Sequence, residues 1–163
     1  SSLTPESFIH LSFSCENLPN LDILSKSDPQ IDVFLKIETH GQIEWKLIGQ
    51  TEVISNNLNP TFKKWVGLHY SDYHNIKCVV YDVDDEDSEK ETREIIGEVI
   101  FSLKFLLQSK DRLLSRLLLS SNRPKNGSIS IKCESITGIL FFHYYFFLNK
   151  ILNPFLNYRN GWR

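Results

Sequence analysis

Apolar and polar residues alternate in several short runs, which are separated by stretches rich in Asn, Asp, Ser, Gly and Pro. Successive side chains of a β-strand point to opposite faces, so this alternation is typical of strands that bury one face. The pattern is clearest in residues 8–15 (FIHLSFSC) and 127–134 (GSISIKCE). Strands are predicted at residues 8–15, 30–38, 42–54, 61–68, 76–82, 95–102, 113–119 and 127–134.

These elements indicate an all-β fold. Short strands at this regular spacing predict an eight-stranded antiparallel β-sandwich. The mixed segment 103–119 is expected to hold a short helix near residues 103–108, directly after the sixth strand. Residues 42–54 are expected to form one strand that bends near Gly49, and residues 56–60 (NNLNP) carry dense turn chemistry.

The composition divides the chain into two parts. Residues 1–137 are predicted to form one domain, and residues 138–163 an aromatic-rich tail of unknown role. The tail opens with ILFFHYYFFL, but Asn149 and Lys150 interrupt it before it reaches the roughly 20 apolar residues of a spanning helix. Four interpretations stay open: a segment packed on the sandwich, a membrane-surface helix, the start of a further element, or translated non-coding sequence.

Charge and cysteine content narrow the class of protein. The net charge of −2 argues against non-specific nucleic-acid binding. Acidic residues are concentrated between Asp82 and Glu94, so the local field matters more than the total. Cys15, Cys78 and Cys133 stand in apolar phases without metal-ligand spacing, which predicts free core thiols in a reducing cytosol.

The acidic stretch at residues 81–97 (YDVDDEDSEKETREIIG) is the strongest functional signal. Asp82 and Asp84 end a predicted strand two residues apart, so their carboxylates share a face. Two carboxylates about 5 Å apart repel each other by roughly 3 kcal/mol at an effective dielectric constant of about 20. The stretch therefore fits either solvated side chains or a hard cation such as calcium, which takes about six to eight oxygen ligands.

A second set of acids lies in the loop after the first strand. Asp22 and Asp28 occur there in LDILSKSDP. Loops at one end of a sandwich converge in space even when they are distant in sequence. Asp22 and Asp28 can therefore face Asp82, Asp84 and Glu94 around one ion.

This arrangement, with SDP at the exit of the first loop and YDVD before the second, resembles the C2 domain. The segments LSFSCENLPNLDILSKSDP and GQTEVISNNLNPTF, with the acidic insert before IIGE, look most like the first C2 domain of copines. The resemblance covers residues 8–135 and implies the sandwich topology with a circularly shifted first strand. It also implies that calcium is bound by Asp22, Asp28, Asp82, Asp84 and Glu94.

One ligand position departs from the family pattern. Glu94 stands where the family usually has Asp, just before the chain re-enters a strand. Its extra methylene group moves the carboxylate by about a bond length, so a shifted geometry or a bridging water is expected. Asp87 is a fallback fifth ligand.

The resemblance implies a calcium-dependent phospholipid-binding module, because copines are cytosolic proteins of this kind. Without calcium, the negative loops repel anionic headgroups; with calcium, they are drawn to anionic cytoplasmic membranes of phosphatidylserine type, at the plasma membrane or elsewhere, when calcium rises. Ile23 and Leu24 are predicted membrane-contacting residues, or else ordinary loop-packing residues.

A basic sheet face is a further candidate lipid site. Lysines on exposed strands also serve solubility and edge protection, so this interpretation competes with a simpler one. The candidate headgroup residues are Lys36, Lys46, Lys63 and Lys64.

An enzymatic function is not expected. The five histidines show no HExxH spacing, and the seven glycines form no phosphate-binding loop. The alternative function is that of a calcium-independent C2-type domain that binds protein partners. No nucleic-acid partner is expected.

Overall fold

The computed structural model describes residues 7–21, 26–84, 92–122 and 125–136. Within these ranges, eight strands alternate with few helical residues, which form one short α-helix and one turn of 3₁₀-helix at Lys110–Arg112. The elements are β1 (Phe8–Glu16), β2 (Pro29–Thr39), β3 (Gln42–Gln50), β4 (Val66–His69), β5 (Asn75–Asp84), β6 (Thr92–Ser102), α1 (Leu103–Gln108), β7 (Leu113–Leu117) and β8 (Ser128–Ile136).

The strands form two four-stranded antiparallel sheets, in the orders β4-β1-β8-β7 and β3-β2-β5-β6. The first strand, β1, pairs along its whole length with the last strand, β8. These sheets confirm the predicted all-β, eight-stranded sandwich, and α1 confirms the short helix after the sixth strand.

The core lies between the sheets and follows the predicted alternation. Ile9, Leu11 and Phe13 of β1 are buried, and so are Ile31 and Val33 of β2. The residues between them on each strand face outward. Because each strand contributes every second side chain, the apolar pattern of the sequence determines which face of each sheet is internal.

The three cysteines are free and buried, as predicted. Burial raises the pKa of Cys15 to about 12 and the pKa of Cys133 to about 11. The pKa of Cys78 is raised as well, by burial and to a lesser degree by Cys15. All three thiols are therefore neutral and act as small core side chains.

Two predicted strands were wrong in extent. β3 ends at Gln50 rather than at residue 54, and β4 begins at Val66 rather than at residue 61. The intervening segment still contacts its neighbours, since Thr51 N–H donates to the Ile31 carbonyl and Phe62 N–H to the Phe13 carbonyl. The turn at residues 56–60 breaks the regular ladder on both sides, because Pro60 lacks a donor and Asn56 has a positive φ of 56°.

Candidate functional site

The end of β5 and the residue before β2 meet at one end of the sandwich. The backbone N–H of Asp28 donates to Asp82 Oδ1 at 2.7 Å, and Val83 N–H donates to the Asp28 carbonyl at 3.1 Å. Asp82 lies opposite Pro29 in the β2–β5 pairing. Aspartates that are 54 residues apart in sequence are thus brought side by side, as predicted.

Asp82 is the more deeply placed of the two. Its exposed fraction is 1%, whereas Asp28 is exposed at its loop. A buried carboxylate needs hydrogen-bond donors or positive charge to offset its lost hydration, and the Asp28 N–H is one such donor. Together the two side chains concentrate oxygen ligands and negative charge at this end of the sandwich.

A β-bulge places Glu94 on the same side as Asp82. Val80 pairs with Gly97, but the next residue, Tyr81, pairs with Ile95, so Ile96 is the extra residue. This shift by one position reverses the facing of the residues that precede it in β6. Glu94 consequently lies directly opposite Asp82, and its side chain is exposed.

A third loop supports this end of the sandwich. Asn56 N–H donates to Asp28 Oδ1 at 2.6 Å, and Lys26 N–H donates to Asn56 Oδ1 at 3.2 Å. Asn57 N–H also donates to the Ser27 carbonyl at 3.1 Å. Hereafter the loop pole denotes the end of the sandwich formed by Asp28, Asn56, Asp82 and Glu94.

Asn56 was missed as a site residue, although residues 56–60 were recognised as turn chemistry. The available signal was its residue type, because Asn tolerates a left-handed conformation better than most residues do. That signal predicts a turn but not its contact, since nothing in the local sequence shows that the turn reaches Asp28.

The remaining predicted ligands are not tested. Asp22 and the fallback ligand Asp87 lie outside the described residues, as do Ile23 and Leu24. Asp84 ends β5, but its side chain is not among those described. Within the described ranges, no group of three or more His, Cys, Asp or Glu side chains is arranged to hold a metal ion. The five-ligand set therefore stays a prediction.

The donor chemistry of the loop pole nevertheless fits calcium. Carboxylate and backbone carbonyl oxygens are the ligands that this ion prefers. Asp82 and Glu94 supply carboxylates at the two ends of one loop, and Asp28 supplies a carboxylate at the end of another. These residues would hold the ion together with whatever oxygens the undescribed loop segments provide.

The four candidate lysines do not share one sheet face. Lys36 pairs with Trp45 and Lys46 with Leu35 on adjacent strands. Directly paired residues point to the same side, so Lys36 and Lys46 point to opposite sides. The two sites of a possible headgroup contact on β2 and β3 are therefore separated.

The other two lysines, Lys63 and Lys64, lie in the segment before β4 and are exposed. Their backbone N–H groups donate to Glu52 Oε1 and Oε2 at 2.6 and 3.0 Å. Burial alone would raise the pKa of Glu52, but these hydrogen bonds lower it overall. The carboxylate fixes the backbone of this segment, and a headgroup site there stays a prediction.

A protein-family model for the C2 domain matches residues 11–117. This chain belongs to the C2 domain family. The match lies within residues 1–137, where the sequence predicted one domain, and it confirms the resemblance. In sequence, the chain is 38% identical to Copine-B of Dictyostelium discoideum over 133 residues. That match covers 78% of this chain but only 24% of Copine-B, so the chain spans about a quarter of this relative.

Solved structures show the same fold. The A domain of the C2 pair in plant extended synaptotagmin 1 matches with a TM-score of 0.60 at 17% identity, covering 83% of this chain and 99% of that domain. The calcium-bound C2 domains A and B of extended synaptotagmin 2 match with a TM-score of 0.53 at 19% identity. That match covers 83% of this chain and 48% of the other.

C2 family membership suggests membrane or phospholipid binding in a general sense. Among the residues that the structure describes, no helix is both long and apolar enough to cross a membrane.

Proposed function

We propose that this C2 domain is a calcium-dependent phospholipid-binding module that recruits its protein to anionic cytoplasmic membrane surfaces. The carrying observation is the direct contact between the Asp28 backbone and the Asp82 carboxylate. That contact brings acids from two loops to one pole, where their mutual repulsion is relieved by a divalent cation. The fold accommodates calcium in at least one structural neighbour.

The proposed mechanism is an electrostatic switch. Without calcium, the carboxylates at the loop pole repel the anionic headgroups of the cytoplasmic leaflet. Each bound calcium ion adds a double positive charge, and lipid phosphate or carboxylate oxygens complete its coordination. The chain's own residues hold and orient the ion, so little change in the sandwich is needed.

Several finer points belong to the same proposal. The domain acts by binding rather than by catalysis, and it docks peripherally when calcium rises. Ile23 and Leu24 add apolar contacts with the bilayer. Full burial of such a side chain contributes about 1.5–3 kcal/mol, so these contacts would strengthen docking after calcium has bound.

A second candidate is a calcium-independent domain that binds a protein partner. The observation that favours it is the outer face of sheet β3-β2-β5-β6, where large apolar side chains are exposed. Ile43, Leu47 and Ile100 have exposed fractions of 58%, 50% and 56%. Exposed apolar patches of this kind commonly mark protein–protein contacts.

Co-sedimentation with phosphatidylserine-containing liposomes, with calcium or with a chelator, separates these functions. We expect pelleting only with calcium, and its loss in Asp28→Asn and Asp82→Asn. Asp111→Asn is the matched control, because it makes the same change in charge in the turn at Lys110–Arg112, after α1. Equal pelleting with calcium and with chelator would reject the switch and favour the second candidate.

A further inference from the structure

The strands that carry the loop pole are joined on their outer face by a buried ion pair. Arg93 Nη1 and Nη2 donate to Asp32 Oδ2 and Oδ1, both at 2.9 Å. The Asp32 side chain is only 6% exposed and the Arg93 side chain 24%. Two parallel hydrogen bonds between a guanidinium and a carboxylate fix orientation as well as distance, which a single contact does not.

This ion pair spans the sheet. In the order β3-β2-β5-β6, Arg93 of β6 reaches across β5 to Asp32 of β2. Its guanidinium carbon lies 3.9 Å from the ring centroid of Tyr81 on β5. From the other side, Gln50 Nε2 of β3 donates to Asp32 Oδ1 at 2.8 Å. The carboxylate of Asp32 is thus the centre of a network with one member on each strand.

The network is adjacent to the loop pole but does not belong to it. Asp32 lies on β2, which begins directly after Asp28, and Arg93 is the neighbour of Glu94 on β6. The same β-bulge that turns Glu94 toward Asp82 turns Arg93 to the outer face, opposite Val83. One backbone irregularity therefore sets both the acid at the pole and the cation of the ion pair.

We propose that Arg93 and Asp32 are positioning residues for calcium. The inference rests on the proposed calcium binding. By fixing the start of β6 against the start of β2, the ion pair holds Glu94 and Asp28 at a set separation on either side of Asp82. Neither residue of the pair touches the ion; both act through the backbone that carries the ligands.

Arg93→Lys tests the role of the fork. The substitution preserves the positive charge but replaces the planar guanidinium with a single ammonium, which cannot make the bidentate contact. Residues that orient metal ligands typically change metal affinity by about 10- to 100-fold when they are substituted. We expect the calcium affinity of Arg93→Lys to fall by about tenfold, at the lower end of that range.

The experiment is calorimetric titration of the full 163-residue chain with calcium chloride, alongside thermal unfolding in chelator. Arg116→Lys is the matched control, since Arg116 lies on β7 in the other sheet and contacts the Phe105 ring rather than an acid. We expect Arg116→Lys to retain wild-type affinity. Titrating every variant well below its unfolding temperature separates a lost ligand position from a loss of fold.

A second variant keeps the test decisive if Arg93→Lys does not fold. The double substitution Asp32→Asn with Arg93→Gln removes both charges, so no unpaired ion is left buried and the net charge is unchanged. It also lacks the charged fork, and the same weakening of calcium affinity is expected. Folded Arg93→Lys or a folded double variant with wild-type affinity would overturn the inference while leaving the proposed function intact. A wild-type chain that binds no calcium would overturn both.

Discussion

The interior of the sandwich and the loop pole are built on different principles. In the interior, apolar side chains such as Ile9, Ile31 and Ile131 are fully buried between two sheets. At the loop pole, Asp28 and Asp82 are held together by backbone hydrogen bonds although both carry acidic groups. The interior is stabilised by burial itself, whereas the pole keeps like charges in place.

This difference separates stability from proposed function. Substitutions in the interior should change the free energy of unfolding and leave calcium affinity per folded molecule unchanged. Substitutions at the loop pole should do the reverse, because removing a carboxylate relieves repulsion but removes a ligand. A ligand at about 100 times its dissociation constant stabilises the folded state by about 2.7 kcal/mol, so calcium itself should reveal the contrast in thermal unfolding.

The largest effect is expected in the interior. Ile131 of β8 is fully buried, and Ile131→Ala would leave a cavity between the sheets. Such truncations cost about 2–5 kcal/mol, so denaturant unfolding in chelator should show a loss in this range. Ile100→Ala is the matched control, because Ile100 is 56% exposed and its truncation should cost less than about 0.5 kcal/mol. Equal losses for the two variants would contradict the assigned core.

The sequence predicted the interior well because its rule is local. Each strand needs only alternation to show which side chains are internal, and the runs at residues 8–15 and 127–134 indicated the correct faces. The wrong ends of β3 and β4 arose where hydrogen bonding continues without a regular ladder, as in the Thr51 and Phe62 contacts. Residue type alone does not distinguish these irregular segments from strands.

The loop pole could be predicted only in part, because its contacts join residues far apart in the sequence. The meeting of Asp28 with Asp82 followed from the convergence of loops at one end of a sandwich. The support from Asn56 and the buried pair of Asp32 with Arg93 did not follow. The latter depends on a bulge at Ile96, which has no clear signal in an alternating apolar sequence.

An intermediate effect is expected for the support of the loop pole. Asn56 has a positive φ of 56°, and its side chain accepts a hydrogen bond from Lys26. Asn56→Ala loses both advantages, so the free energy of unfolding in chelator should fall by about 1–2 kcal/mol. Asn56→Gly is the matched control, since glycine adopts this backbone conformation without strain and lacks only the side-chain acceptor.

Asn56→Gly should therefore lose less stability than Asn56→Ala. Both variants keep the backbone N–H that donates to Asp28, so calcium affinity should change much less than in Asp28→Asn. Calcium titration of the two folded variants checks this point. A loss of calcium binding as complete as that of Asp28→Asn would show that Asn56 belongs to the site rather than to its support.

The smallest effect is expected at His74, which lies between β4 and β5 at the other end of the sandwich. Burial lowers the pKa of His74 below its ordinary value of 6.5, although a hydrogen bond with the His69 backbone opposes the shift. The unfolded chain therefore binds this proton more readily than the folded chain does. The resulting stability is present above about pH 6.5 and is lost as the pH falls from there through the lowered pKa of the folded state.

Thermal unfolding in chelator at about pH 7.5 and about pH 5.5, on either side of the ordinary histidine pKa, measures this loss. We expect the unfolding temperature of the wild type to fall further than that of His74→Gln, by on the order of 1 °C, because His74 keeps partial access to water. His40→Gln, in the exposed turn between β2 and β3, is the matched control and should behave as the wild type. If His74→Gln lost as much stability as the wild type between the two pH values, the buried imidazole would not be the group that titrates. The acid sensitivity would then have to come from other titrating groups, and the carboxylates of the loop pole would be the next to substitute.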